Sequence, residues 1–205
     1  MSSYKLVNKT SQETFASLHQ RICQSAPDLS RVFSPEVFGF VEGMAQSIGV
    51  NTGYVAISIL TAVNYKLSSK ATKIQVTPSY YEPLNTYAIV VGPPSTGKTP
   101  AFHNCVKKHL LQDGIIDKST LSGLTKLLAK EGKAFLVNSE VKEFLHSLLQ
   151  NDEVNASGDV QLLCKLFSGE LAQYNFATEN ARSLSEDTSF SILGEFSFFI
   201  YIIFL

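Results

Sequence analysis

The sequence predicts an α/β fold: a parallel sheet covered by helices on both faces, preceded by a helical amino-terminal segment. Three observations carry that reading. Short apolar runs rich in β-branched or aromatic residues (TYAIVV at 86–91, AFLV at 134–137, FSIL at 190–193) have the character of buried strands. Segments with apolar residues at helical spacing lie between them. A glycine-containing turn joins the first of these strands to a helix, as βα units require.

The elements follow in chain order. Residues 1–34 are polar with short apolar stretches and form an extension, packed loosely or as one helix. Its start, MSSYKLVNKTSQETF, has no apolar core of the kind a secretory signal needs. Ser34-Pro35-Glu36 is a helix start, with serine as cap, proline in the first turn and an acid against the dipole. Val37, Phe38, Val41 and Met44 continue it at helical spacing to about Gly49. A second helix is expected from 51 or 52 to about 67, with Val55, Ile59, Leu60 and Val63 on one face. Ser68-Ser69 breaks it, and 72–77 alternates as a strand would. Residues 35–83 thus read as a helical lead-in with a supporting role, and 84–205 as the core.

Within the core, the strand at 86–91 leads into a helix over about 99–111, with Gly114 just past its end. Leu121, Leu124, Leu127 and Leu128 mark a helix over 119–130, turned by Glu131-Gly132 into the strand at 134–137. Helices over 141–149 and 160–167 and the strand at 190–193 complete the pattern. The last ten residues, FSFFIYIIFL at 196–205, carry no charge. A spanning helix needs roughly 17–25 apolar residues and Glu195 interrupts this run, so no membrane anchor is expected. A buried strand is the structural reading. The alternative is a tail translated from non-coding sequence, since Phe, Ile, Tyr and Leu have A/T-rich codons.

Charge and cysteines bound the partners. Seventeen basic against 18 acidic side chains leave a net charge of −1, too little to draw the whole chain onto nucleic acid or an anionic membrane. Contact with DNA would need a local patch or assembly of copies into a ring. Cys23, Cys105 and Cys164 are few, widely spaced and odd in number. That argues against a disulfide framework and fits a reducing, intracellular compartment, cytoplasmic or nuclear.

One motif carries chemistry. Gly92-Pro93-Pro94-Ser95-Thr96-Gly97-Lys98-Thr99 fits G-x-x-x-x-G-K-[ST], the phosphate-binding P-loop, between the required strand and helix. The terminal glycines let the backbone bend so that successive amides point at phosphate oxygens. The following helix offers its positive end, and Pro100 sits where a missing amide hydrogen is harmless. Lys98 can reach the β- and γ-phosphates as a mobile charge, and the Thr99 hydroxyl can ligate Mg²⁺. ATP with Mg²⁺ is therefore the expected ligand, with GTP its rival. Hydrolysis also needs an acid to orient water. Glu140, just past the strand at 134–137, is the candidate. The usual aspartate-glutamate pair is here Ser139-Glu140, so its first acid is missing, although serine could still hold a metal-bound water.

With these residues in hand, the chain resembles an uncharacterised P-loop family found beside primase–polymerase modules of phages and plasmids and grouped with RecA-like helicases. The resemblance covers residues 35–194. Its landmarks are MAQSIGVNTGYVAISILTAVNYKL, LNTYAIVVGPPSTGKTPAF, LSGLTKLLAKEGKAFLVNSEVKEFL, LFSGELAQYN and FSILG. It implies a RecA-like core, phosphate binding by Gly92, Gly97, Lys98 and Thr99, Glu140 as catalytic acid, and Ser191 as a loosely matched polar sensor. It also implies an ATPase motor related to replicative helicases, acting on DNA as a ring-forming homo-oligomer. The family continues beyond Gly194 with strands and helices that this chain lacks, so its sheet is expected to be incomplete and the copy truncated.

Weaker constellations favour ordinary structural roles. Cys105 and His109 could share a helix face as metal ligands, but no second pair supports them. Lys66, Lys70 and Lys73 read as a solvated helix end rather than a backbone-phosphate stripe. Arg182, the only arginine after the loop, reads as a surface residue rather than an arginine finger. Two rivals to the ATPase follow: a truncated fragment that binds nucleotide without turnover and self-associates through an exposed sheet edge, and a small-molecule kinase. The kinase is disfavoured because one arginine is a poor clamp for two anionic substrates.

Overall fold

A computed structural model describes residues 27–110, 114–150, 156–176 and 179–197, with side chains described except at 147–150, 156–159, 172–176 and 179–182. The chain divides into two compact units, Met1–Phe40 and Val41–Leu205. In the first, Asp28 caps a short 3-10 turn at Leu29–Arg31 by accepting from the Ser30 amide at 3.1 Å. The Ser34 hydroxyl then accepts from the Val37 amide at 3.4 Å, the cap expected for α1 (Pro35–Ile48), which runs into the second unit.

In the second unit, Asn51 caps α2 (Thr52–Ser68) through the Gly53 amide at 2.8 Å. Next come β1 (Lys73–Thr77), β2 (Tyr80–Pro83) and β3 (Tyr87–Gly92). Helix α3 starts as Lys98–Phe102, passes through a π-helical turn at His103–Lys107 and ends as Lys108–Leu110. Then follow β4 (Ile115–Ile116), α4 (Leu121–Glu131), β5 (Lys133–Asn138), α5 (Val141–Gln150) and α6 (Ala156–Ser168). The hairpin β6 (Ala172–Phe176) and β7 (Glu179–Leu184) leads to β8 (Ser189–Ser197).

Among the described residues the main sheet has four parallel strands in the order β3-β8-β5-β4, so the protein is mixed α/β. Both faces of its centre are covered. On one, Ala134 and Leu136 of β5 and Phe190 and Ile192 of β8 pack with Leu124 and Leu128 of α4, Phe144 of α5, and Leu162 and Leu166 of α6. On the other, the Phe135 ring stacks on Tyr65 of α2 at 4.8 Å, and α2 also meets β8 and α3.

Three local expectations change. The strand at 86–91 is an edge strand rather than a fully buried one: Ala88 and Val90 are buried, Ile89 and Val91 exposed, because only β8 pairs with it among the described residues. The buried stripe of α2 is built of Val55, Ala56, Ser58, Thr61, Ala62 and Tyr65, and Val63 faces out. Ser58 and Thr61 can be buried because their hydroxyls donate to the carbonyls of Tyr54 and Ile57, at 2.6 and 2.7 Å. The alternation at 72–77 does mark a strand, but among the described residues β1 pairs only with β2, and Ile74 and Val76 remain exposed.

Of the terminal run at 196–205, Phe196 and Ser197 end β8 and the rest lies outside the described residues, as do residues 1–26. Among the described residues, no helix is long and apolar enough to cross a membrane.

Candidate phosphate-binding site

The carboxyl ends of β3, β8 and β5 meet at one edge of the sheet, where ligands of parallel α/β proteins bind. From β3 the chain enters residues 92–97, which bend through a left-handed Ser95 (φ 61°) and Gly97 (φ 85°) before α3 starts at Lys98. Left-handed backbone turns successive amides to one side, the shape that cradles anions. Gly97 has a second constraint, since a Cβ there would lie 2.6 Å from Val50 Cγ1. Gly92 is hemmed similarly: its Cβ would lie 2.9 Å from the Tyr54 hydroxyl, which itself donates to Thr96 Oγ1 at 3.3 Å. Val50 and Tyr54 of the lead-in thus brace the loop, a role that nothing in their own sequence pattern signals.

Lys98 is 4% exposed and tucked beneath the loop. Its Nζ donates to the carbonyls of Pro93 at 2.6 Å and Gly92 at 3.2 Å, and reaches Thr96 Oγ1 at 3.4 Å. The ammonium is therefore held inside the ring of atoms that would enclose a phosphate. Pro93, Pro94 and Ser95 are exposed at the mouth. Thr99 donates its hydroxyl proton to Glu195 Oε1 at 2.7 Å.

Glu195 is the residue that sequence reading passed over as a break in an apolar run. It sits near the end of β8, opposite Val90 of β3, and is 6% exposed. Its second oxygen, Oε2, is buried and has no hydrogen-bond partner among the described residues. A lone carboxylate in a strand with no other charged residue was the available signal, because an acidic side chain is rarely buried without a reason.

Glu140 follows β5 in the turn before α5, exposed, with its amide donating to Asn138 Oδ1 at 2.6 Å. Its placement depends on Gly194, where a Cβ would lie 2.5 Å from Val141 Cβ. Without that contact, the first residue of α5 could not sit against β8. A cavity of about 530 Å³ opens between these ends, with Pro94, Thr99, Ser139, Glu140 and Glu195 in its wall. Lys142 and Glu143 also line it; Lys142 lies over the Phe196 ring at 5.9 Å, and Glu143 pairs with Lys118 at 2.9 Å. That pairing holds the Glu143 carboxyl below and the Lys118 ammonium above their ordinary pKa ranges.

The residues fit a magnesium ion accompanying phosphates. Thr99 offers an oxygen at the mouth of the loop, and Glu195, hydrogen-bonded to it through Oε1, has a second oxygen with no partner among the described residues. Among the described residues no group of three or more His, Cys, Asp or Glu side chains could hold a metal by itself, so phosphate and water would have to supply the remaining ligands.

The other candidates fall elsewhere. Ser191 lies at the opposite end of β8, where its hydroxyl accepts from the Thr86 amide at 3.2 Å. Cys105 is buried with its sulfur 3.5 Å from Met44 Sδ, whereas His109 is exposed, so the two do not share a face. Lys73 pairs with Asp187 at 3.1 Å. Arg182 is on β7, and its side chain lies outside the described ones. Compared with protein-family models, curated proteins and solved structures, the chain finds no match.

Proposed function

We propose that the chain binds ATP with magnesium in the loop at 92–99 and hydrolyses it. The observation that carries this reading is the loop itself: left-handed turns at Ser95 and Gly97, a buried Lys98 inside the bend, and a helix leading away from it. These are the parts a phosphate chain needs, namely converging amides, a cation and a helix N-terminus.

Strand spacing supports a place for the chemistry. With β8 between β3 and β5, loop and acid are two strand spacings apart, roughly 10 Å. That leaves room for a γ-phosphate and a water between them. Magnesium, when bound, would supply positive charge among the β- and γ-phosphate oxygens. Lys98 exchanges loop carbonyls for phosphate oxygens and stabilises the charge that builds on them. Glu140 orients the water and takes a proton from it. A bond forms from water oxygen to the γ-phosphorus as the bond to the bridging β–γ oxygen breaks, giving ADP and phosphate.

Calorimetry of Mg-ATP binding tests the cradle. Lys98→Ala should weaken binding about 10- to 100-fold, the worth of a charged hydrogen-bond donor. Equal affinity in a folded variant sinks the reading. Glu140→Gln should bind Mg-ATP as the wild type does and lose about 100-fold or more in turnover. The second reading, binding without turnover, is favoured by one observation: Glu140 is exposed, and Ser139 stands where a first acid was expected. Absence of wild-type hydrolysis alongside Mg-ATP binding would select it. A RecA-like motor acting on DNA as a ring is the wider proposal, supported by the parallel sheet and by the resemblance over 35–194. DNA-stimulated turnover would test it.

A further inference from the structure

Resting on the phosphate-cradle reading, we infer that Glu195, on the strand between the loop strand and the Glu140 strand, supplies the metal-positioning carboxylate that Ser139 does not. Three observations meet on it. Thr99, whose hydroxyl oxygen would face the cation, donates its proton to Glu195 Oε1 at 2.7 Å. That bond directs the hydroxyl hydrogen away from the loop and leaves the oxygen lone pairs for a cation. Glu195 Oε2 is buried with no partner among the described residues, an arrangement that a cation or its water would complete. The cavity wall beside it carries Glu140 as well, together with Lys142 and a Glu143 already paired with Lys118, so Glu195 and Glu140 are the carboxylates that a cation accompanying a triphosphate would offset.

Ser139 is placed differently. It lies past the end of β5 and is exposed, while β8 pairs with Asn138 at Gly194 and runs on toward the loop, bringing Glu195 alongside Val90. The acid has in effect moved to the neighbouring strand. Glu195 acts through Thr99 and through water on the metal, so it is a positioning residue; Glu140 keeps the attacking water.

The test is the magnesium response of nucleotide binding, read by calorimetry with ATP in EDTA and over a Mg²⁺ titration. Wild type should bind more tightly as Mg²⁺ rises. Glu195→Gln preserves shape and the hydrogen bond from Thr99 but removes the charge. It should bind ATP in EDTA at least as well as wild type and lose the Mg²⁺ enhancement by tenfold or more. Glu195→Asp, which restores the charge one methylene short, should recover part of it, and serves also if the glutamine variant melts early. Ser139→Ala should respond to Mg²⁺ as wild type does. A normal Mg²⁺ response in Glu195→Gln, or an equal loss in Ser139→Ala, overturns the inference and leaves the cradle standing. A folded wild type that binds no ATP overturns both.

Discussion

Val50 Cγ1 would stand 2.6 Å from a Cβ at Gly97, whose φ of 85° already disfavours any other residue. If the loop binds Mg-ATP as proposed, Gly97→Ala should therefore distort it and weaken that binding tenfold or more, since left-handed backbone alone costs an L-residue about 1–2 kcal/mol. Unchanged affinity by calorimetry would show that the bend tolerates a side chain. The bend built by the glycines, Lys98 and Thr99 was legible in the sequence because the motif sets its residue types within eight consecutive positions. Glu195 and Tyr54 were not, because their partners are 96 and 42 residues away. Spacing along a chain says little about groups that only folding brings together. Glu140 was legible by a different route, as the acid just past a predicted strand, and it does face the same cavity as Thr99.

Parallel strands at the middle of a sheet announce themselves, since burial on two faces demands a continuous apolar run. AFLV and FSIL obeyed that rule and became β5 and β8; TYAIVV obeyed it in sequence but became β3, one of the two edge strands among the described residues. Pairing partners are a property of the assembled sheet, so the run could not reveal its place in the order. The two hairpins are less legible still, being short and, for β1, largely exposed. Helix α4 illustrates how much a single position carries. Leu128 is 1% exposed within the cluster beneath β5 and β8, whereas Leu127 is only partly buried. Leu128→Ala should cost about 2–5 kcal/mol, and Leu127→Ala clearly less, in chemical denaturation. Equal losses would mean that the helix is rotated from its described face.

At the scale of the molecule, the two sides of the sheet differ in what they conceal. Cys105, on α3, is buried, and burial pushes its thiol up to about 11, whereas Cys164 on α6 is exposed. Alkylation at pH 8 followed by peptide mapping should modify Cys164 in the native protein and Cys105 only after unfolding. Comparable native labelling of both would contradict the packing of α3. The same shift sets a pH dependence. The neutral thiol is favoured by folding, so its contribution is constant well below pH 9 and is lost as pH rises from about 9 to about 11. Melting temperature between pH 6 and 8 should owe nothing to it.

The grip of Val50 and Tyr54 on the loop reaches further than the fit of two glycines. Because α2 begins where the cradle is braced, the bent loop and the first turn of that helix share a common fate. Whatever a ligand on the loop adds to the binding of a second ligand at the start of that helix, the second adds equally to the first. On the proposed reading, a partner seated on the start of α2 would then be felt as a change in nucleotide affinity, without touching a phosphate.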